Sequence, residues 1–292
     1  MNRLHARSLT GPALTALSVL LVVLIAAGAP TASAAPATPL HLEDYTWVEL
    51  RARIDGGATT VLIPIGGTEQ NGPHISLGKH NQRVRVLAEK IARRLGNAVV
   101  APVLAYVPEG IITPPTQHMR YAGTISVPEA AFEATLEAAA HSLRQHGFRD
   151  VVLLGDHGGY RASLERVAGR LNKASGLRST GRADGRAVGR VVALGEYYRA
   201  ASMSFADTLK ARGFSAAEIG SHAGLADTSL SLAIHAAGVR TEVIAAGRSA
   251  VDVSGVIGDP RRASAELGQI GVEQIVAASV AAIQTRLAQP PR

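Results

Sequence analysis

Histidine and carboxylate gather among glycines at three places in this chain. The first is Gly66-Gly67-Thr68-Glu69-Gln70-Asn71-Gly72-Pro73-His74, continuing to His80. The second is Gly155-Asp156-His157-Gly158-Gly159-Tyr160, and the third is His222-Ala223-Gly224-Leu225-Ala226-Asp227-Thr228-Ser229. Imidazole and carboxylate are donors of hydrolytic metal centres, and glycine lets backbone come close to a metal or a substrate. The sequence has no Cys, which excludes disulfides, thiolate metal sites and a cysteine nucleophile. Any metal is therefore held by His, carboxylate or amide oxygen. No Gly-x-Ser-x-Gly elbow is present, which counts against a serine hydrolase, and no phosphate-cradling glycine pattern follows Gly158-Gly159.

For these groups to converge they must stand at one end of a sheet. Thr60-Val61-Leu62-Ile63-Pro64-Ile65 is an apolar run closed by Gly66-Gly67, the pattern of a buried parallel strand entering a loop. Val84, Leu87, Ala88, Ile91 and Leu95 recur at helical spacing and predict a helix over 81–95. A strand over 98–103 follows, then a helix over 128–146 ended by Gly147, then a strand over 151–154 leading into the second loop. The polar stretch from Lys173 to Arg190, with Gly176, Gly181, Gly185 and Gly189, predicts an exposed loop before a strand over 191–194. Helices over 205–211 and 228–237, a strand over 240–245 and a long helix over 260–287 complete the pattern. This alternation gives an α/β fold with a mainly parallel sheet, in which ligands bind at the carboxyl ends of strands.

Residues 1–34 carry Arg3 and Arg7 and no acid, then an apolar run from Ala13 to Ala29, then Ala32-Ser33-Ala34, which has the form of a signal-peptidase site. A cleaved export signal is expected, with a retained membrane anchor as the competing reading. One domain over 35–292 then remains, periplasmic or extracellular, with no further segment apolar enough to insert stably in a membrane. Loss of the signal lowers the formal charge from +7 to +5. The basic residues are scattered and form no dense block with interleaved aromatics, so nucleic acid is not an expected partner.

The three loops resemble the creatininase (creatinine amidohydrolase) family, and the resemblance runs over most of residues 35–292. The family motif Gly-x-x-Glu-Gln-His-Gly-Pro-His-Leu-Pro-Leu-x-x-Asp is met without a gap by Gly66-Gly-Thr-Glu-Gln-Asn-Gly-Pro-His-Ile-Ser-Leu-Gly-Lys-His80. The family's Asn-Gly-His-Gly-Gly-Asn places His157 on its histidine, and His-Ala-Gly-x-x-Glu-Thr-Ser is met by His222 to Ser229. Tyr121-Ala-Gly-Thr-Ile125 beside His118, and Gly255-Val-Ile-Gly-Asp-Pro260, fit as well. The resemblance implies a three-layer sandwich, a homo-oligomer and a metal-dependent hydrolase of amide C–N bonds other than ordinary peptide bonds.

Departures from the family are informative. Its members bind two metals through a Glu, a His and a bridging Asp of the first motif, the His of the second, and a further Glu. Here Glu69 is in place, but Asn71 and His80 stand where the first His and the bridging Asp would be. A carboxylate bridges two cations with its two oxygens, whereas a neutral imidazole has one lone pair to give. The resemblance thus leaves Glu69, His80 and His157, a set suited to zinc and also to manganese or iron. Asp227, in place of a family Glu, is open to three readings: metal ligand, base on the bound water, or cap of the helix that follows. His222 is implied to contact substrate or to carry the proton to the leaving nitrogen, with a structural role as the other reading. His74 and Asp156 remain open between orienting a ligand and forming turns. The implied reaction is attack of a metal-activated water on the carbonyl of a small amide or lactam. Creatinine itself is not expected, because the family's creatinine hydrolases close a Trp lid and the only Trp here is Trp47. The rival expectation is a binding protein of the same fold whose altered site has lost turnover.

Overall fold

The computed structural model describes residues 38–178, 189–246 and 255–289. The expected export signal lies outside the described residues. Strands β1 (Thr60–Ile65), β2 (Ala98–Val100), β3 (Asp150–Gly155) and β4 (Val191–Ala193) pair in the order β2-β1-β3-β4, all parallel. Parallel neighbours need crossovers, and helices supply them. Helix α1 (Trp47–Asp55) precedes β1, α2 (Lys79–Leu95) joins β1 to β2, α3 (Glu129–Gln145) joins β2 to β3, and α4 (Arg161–Arg178) joins β3 to β4.

Alternate strand residues feed two cores. Val61, Ile63, Ile65, Val151 and Leu153 pack with Phe132, Leu136, Leu164 and Val167 of α3 and α4. Leu62, Val152, Leu154 and Val192 pack on the other face with Leu87 and Ile91 of α2 and with later helices. Burial on both faces explains why β1 and β3 carry apolar residues with no polar alternation. The result is the three-layer α/β sandwich.

The remaining chain builds the second outer layer and one wall of the cavity. It runs through α5 (Gly195–Arg199), a π-helical turn at Ala200–Ser204, α6 (Phe205–Ala211), α7 (Ala216–Ile219), α8 (Leu225–His235), α9 (Thr241–Ala245) and α10 (Ala265–Ala288). Helices α8 and α10 meet at Gly268, where a Cβ would lie 1.9 Å from the Ser229 carbonyl oxygen, so only glycine permits this approach.

Several expected boundaries shift for physical reasons. Strand β2 stops at Val100 rather than 103, two residues before Pro102, which has no N–H to give a ladder. The segment expected as a strand over 240–245 is instead helix α9, in which Val243 and Ile244 are half-buried beside exposed Thr241 and Glu242. A short apolar run does not distinguish the two states. The loop expected from Lys173 begins later, because α4 continues through Gly176 to Arg178; a helical glycine costs only about 1 kcal/mol. Helix α8 starts at Leu225, which puts Asp227 in its first turn, and α10 starts at Ala265, with the Ser264 hydroxyl accepting from the Leu267 N–H. Among the described residues no helix is long and apolar enough to cross a membrane.

Candidate metal centre

The carboxyl ends of β1, β3 and β4 and the loop after β2 border one cavity of about 670 Å³, lined by His80, His118, His157, Tyr198 and His222 among others. Its floor is tied by side chain to backbone bonds. The Tyr160 hydroxyl accepts from the N–H groups of Asp156 (3.1 Å) and His157 (3.0 Å). It lies 2.8 and 2.7 Å from the carbonyl oxygens of Ile65 and Gly66, which share its proton. Gly67 has φ +149°, and a Cβ there would fall 2.4 Å from Glu109 Oε1. Asn71 Nδ2 donates to the carbonyls of Glu69 (2.9 Å) and Ser76 (3.2 Å). Where the family has a ligand His, this chain has a loop staple.

Glu69 is fully buried and faces two ways. Its Oε2 lies 3.2 Å from His118 Nε2 and 3.5 Å from His157 Nε2, and makes no hydrogen bond. Ligand atoms of Glu69, His118 and His157 all lie within 4.8 Å of one another, the spacing one ion needs. Its Oε1 instead lies 2.8 Å from His80 Nε2 and 3.6 Å from Lys79 Nζ. The His118 ring is fixed by the Gln70 amide, 3.0 Å from Nδ1, and follows Gln117 at φ +50°. A non-glycine residue in that region stores about 1–3 kcal/mol of backbone strain, so this histidine is held in place at a cost.

The electrostatics suit a cation. Burial, and then the neighbouring His80, lower His157 to about 3. Burial, and then Lys79, lower His222 to about 4, and burial lowers His118 as well. All three imidazoles are neutral near pH 7, as a metal ligand must be. Burial alone would push the Glu69 carboxyl up, but His80 and Lys79 outweigh it and hold it well below the usual range. Glu109 behaves oppositely: burial and then Glu69 push it up to about 9. Both Glu109 oxygens are buried without a hydrogen-bond partner, and Oε2 lies 3.5 Å from His157 Nδ1. The orphaned Glu69 carboxylate oxygen beside neutral imidazoles is what a divalent cation would satisfy, so the residues present fit one.

Of the four expected ligands, Glu69 and His157 fall in this group. His80 stands on the other oxygen of Glu69, with Nδ1 2.6 Å from Asp156 Oδ2. Asp156 also accepts from Arg83 Nε (2.8 Å) and the Tyr197 hydroxyl (2.6 Å). Asp227 accepts from Arg83 Nη1 (2.8 Å), Lys79 Nζ (3.1 Å) and the Ala223 N–H (2.9 Å), and lies outside the triad. His222 Nε2 is 2.9 Å from the Gln70 carbonyl oxygen, and its Nδ1 is 3.8 Å from Glu69 Oε1. His74 is buried and meets Thr228 Oγ1 at 3.0 Å, which ties the first loop to α8. Sequence reasoning assigned no role to His118 or Glu109, which lie in the long connection between β2 and α3. The available signal was their place after the carboxyl end of a parallel strand.

Comparison with known proteins places this geometry. The family model described as creatinine amidohydrolase matches residues 43–283. A mycofactocin precursor peptide peptidase of Mycobacterium tuberculosis is 27% identical over 243 residues, covering 75% of this chain and 82% of the relative. A creatinine amidohydrolase of Pseudomonas putida is 28% identical over 192 residues, covering 66% of this chain and 70% of the relative. The solved structure "Creatininase Mn" aligns with a TM-score of 0.66 at 25% identity, over 86% of this chain and 100% of its own. The chain belongs to the creatininase family, whose members are metal-dependent amidohydrolases.

Proposed function

We propose that this chain is an exported hydrolase that cleaves the C–N bond of a small amide, a lactam or a modified peptide at a divalent ion held by Glu69, His118 and His157. The observation that carries the reading is the unpartnered Glu69 Oε2 facing two neutral imidazoles at a large cavity. Zinc suits these donors best, and manganese and iron accept the same set. A bound divalent ion supplies a Lewis acid for the substrate carbonyl and a water of lowered pKa. The Gly159 N–H, 3.2 Å from His157 Nδ1, orients that ring, and Glu109 Oε2 lies 3.5 Å from the same nitrogen. His222, whose Nε2 lies between the Gln70 carbonyl oxygen (2.9 Å) and the Gln70 side-chain amide nitrogen (3.1 Å), lines the cavity and is the group that carries a proton to the leaving nitrogen. Asp227, bound to Lys79, Arg83 and the Ala223 N–H, is a positioning residue.

The test is elemental analysis of untagged protein beside His118→Ala and His157→Ala, with product analysis on linear amides, lactams and short peptides. Each variant is expected to lose metal affinity about tenfold or more, and turnover with it. Metal retained unchanged in both would sink the assignment. The binding-only alternative is separated by the same screen, since it gives ligand uptake without product. Export is checked on the protein from its native host: an amino terminus at Ala35 supports it, and a chain retaining residues 1–34 opposes cleavage.

A further inference from the structure

We infer that the centre takes a single divalent ion per chain, because Lys79 and Arg83 already occupy, as fixed cations, the side of Glu69 where a second ion would bind. The inference rests on the metal-dependent reading above. Only Glu69 Oε2 faces the imidazole pair; Oε1 faces His80 at 2.8 Å and Lys79 at 3.6 Å. Behind them, Asp156 and Asp227 are already bound by Arg83, each at 2.8 Å, and Asp227 by Lys79 at 3.1 Å. The Lys79 and Arg83 side chains are only 1% and 6% exposed, so they are desolvated charges that persist because they are paired.

The oxygens on that side are already taken. Both oxygens of Asp156 accept from Arg83, with His80 and the Tyr197 hydroxyl beside them, and both oxygens of Asp227 accept, from Arg83, Lys79 and the Ala223 N–H. Glu69 Oε1 faces His80 at 2.8 Å. A second ion there would stand beside buried cations, and like charges repel strongly where water is excluded. His80 offers it no lone pair, since both its ring nitrogens are committed to carboxylates, at 2.6 and 2.8 Å. Lys79 and Arg83 therefore do with side chains what a second metal would do.

The full-length chain, stripped and reloaded with excess manganese, tests this by metal-to-protein ratio and by manganese electron paramagnetic resonance. One ion per chain with the six-line signal of an isolated ion is expected. Two ions per chain with an exchange-coupled signal would overturn the inference while leaving the metal-dependent function standing. No ion at all, with manganese or zinc, would overturn both. Lys79→Met is expected to raise the ratio above one at millimolar manganese, because Asp227 and Glu69 lose a cation, whereas Lys79→Arg stays at one. A Lys79→Met protein that folds and still binds one ion with unchanged affinity would show that the lysine does not exclude the second. Should that variant not fold, wild type and Lys79→Arg still decide the stoichiometry.

Discussion

Two networks of arginine and carboxylate lie in different surroundings. Between α3 and α4, Arg166 meets Glu129 at 2.5 Å and Glu133 at 2.6 Å, and Arg170 meets Glu133 at 2.7 Å and Glu137 at 2.6 Å. Those arginine side chains are 45% and 48% exposed. Arg83 makes contacts of 2.8 Å to Asp156 and Asp227 with its side chain only 6% exposed. The distances are nearly alike and the consequences are not. On the surface, water competes for every charge and a pair is worth little. In the pocket, removing one partner strands the others in a medium that cannot solvate them.

The comparison breaks most visibly at Arg83. Arg83→Met leaves Asp156 and Asp227 without their guanidinium and is expected to cost about 3–5 kcal/mol, read by urea unfolding. A loss no larger than that of a surface pair would refute the contrast.

Glu109 gives an intermediate effect with a defined sign. Its folded value is raised to about 9 from 4.5, so the folded chain keeps a proton that the unfolded chain has released. The stability this contributes is fully present below pH 4.5 and is lost as pH rises through about 9. In metal-free protein, wild type should therefore lose several degrees of Tm between about pH 6 and 9, and Glu109→Gln should lose much less. Parallel melting profiles for the two proteins would count against a buried protonated acid.

The smallest effect is on the surface. Arg170→Ala is expected to change stability by less than about 1 kcal/mol, and by less still in high salt. A loss of several kcal/mol there would erase the difference between the two networks from the other side.

The framework was readable because its signals are local. β1 and β3 are apolar runs, and α2 shows its core face in Val84, Leu87 and Ile91. Segments with half-buried faces were less readable, and α9 took the wrong state for that reason. In the site, Glu69 and His157 stood in recognisable motifs. The surroundings of His80 and Asp227 were not legible, because they depend on partners far along the chain: Asp156 is 76 residues from His80, and Lys79 is 148 from Asp227. His118 and Glu109 lie in irregular connection with no periodicity, and only the sheet's polarity pointed there.

The Tyr160 hydroxyl, shared between the ends of β1 and β3, has a wider consequence. Its bonds join the two loops that carry Glu69 and His157 into one plate, so neither can shift without the other. Adaptation to a new substrate then falls to the walls. The π-helical turn, which contributes Ala201 and Ser202, can change shape and polarity while the spacing of Glu69 and His157 below stays fixed. In this chain one buried phenol thus separates the plate that fixes ligand spacing from the wall that is free to vary with the substrate.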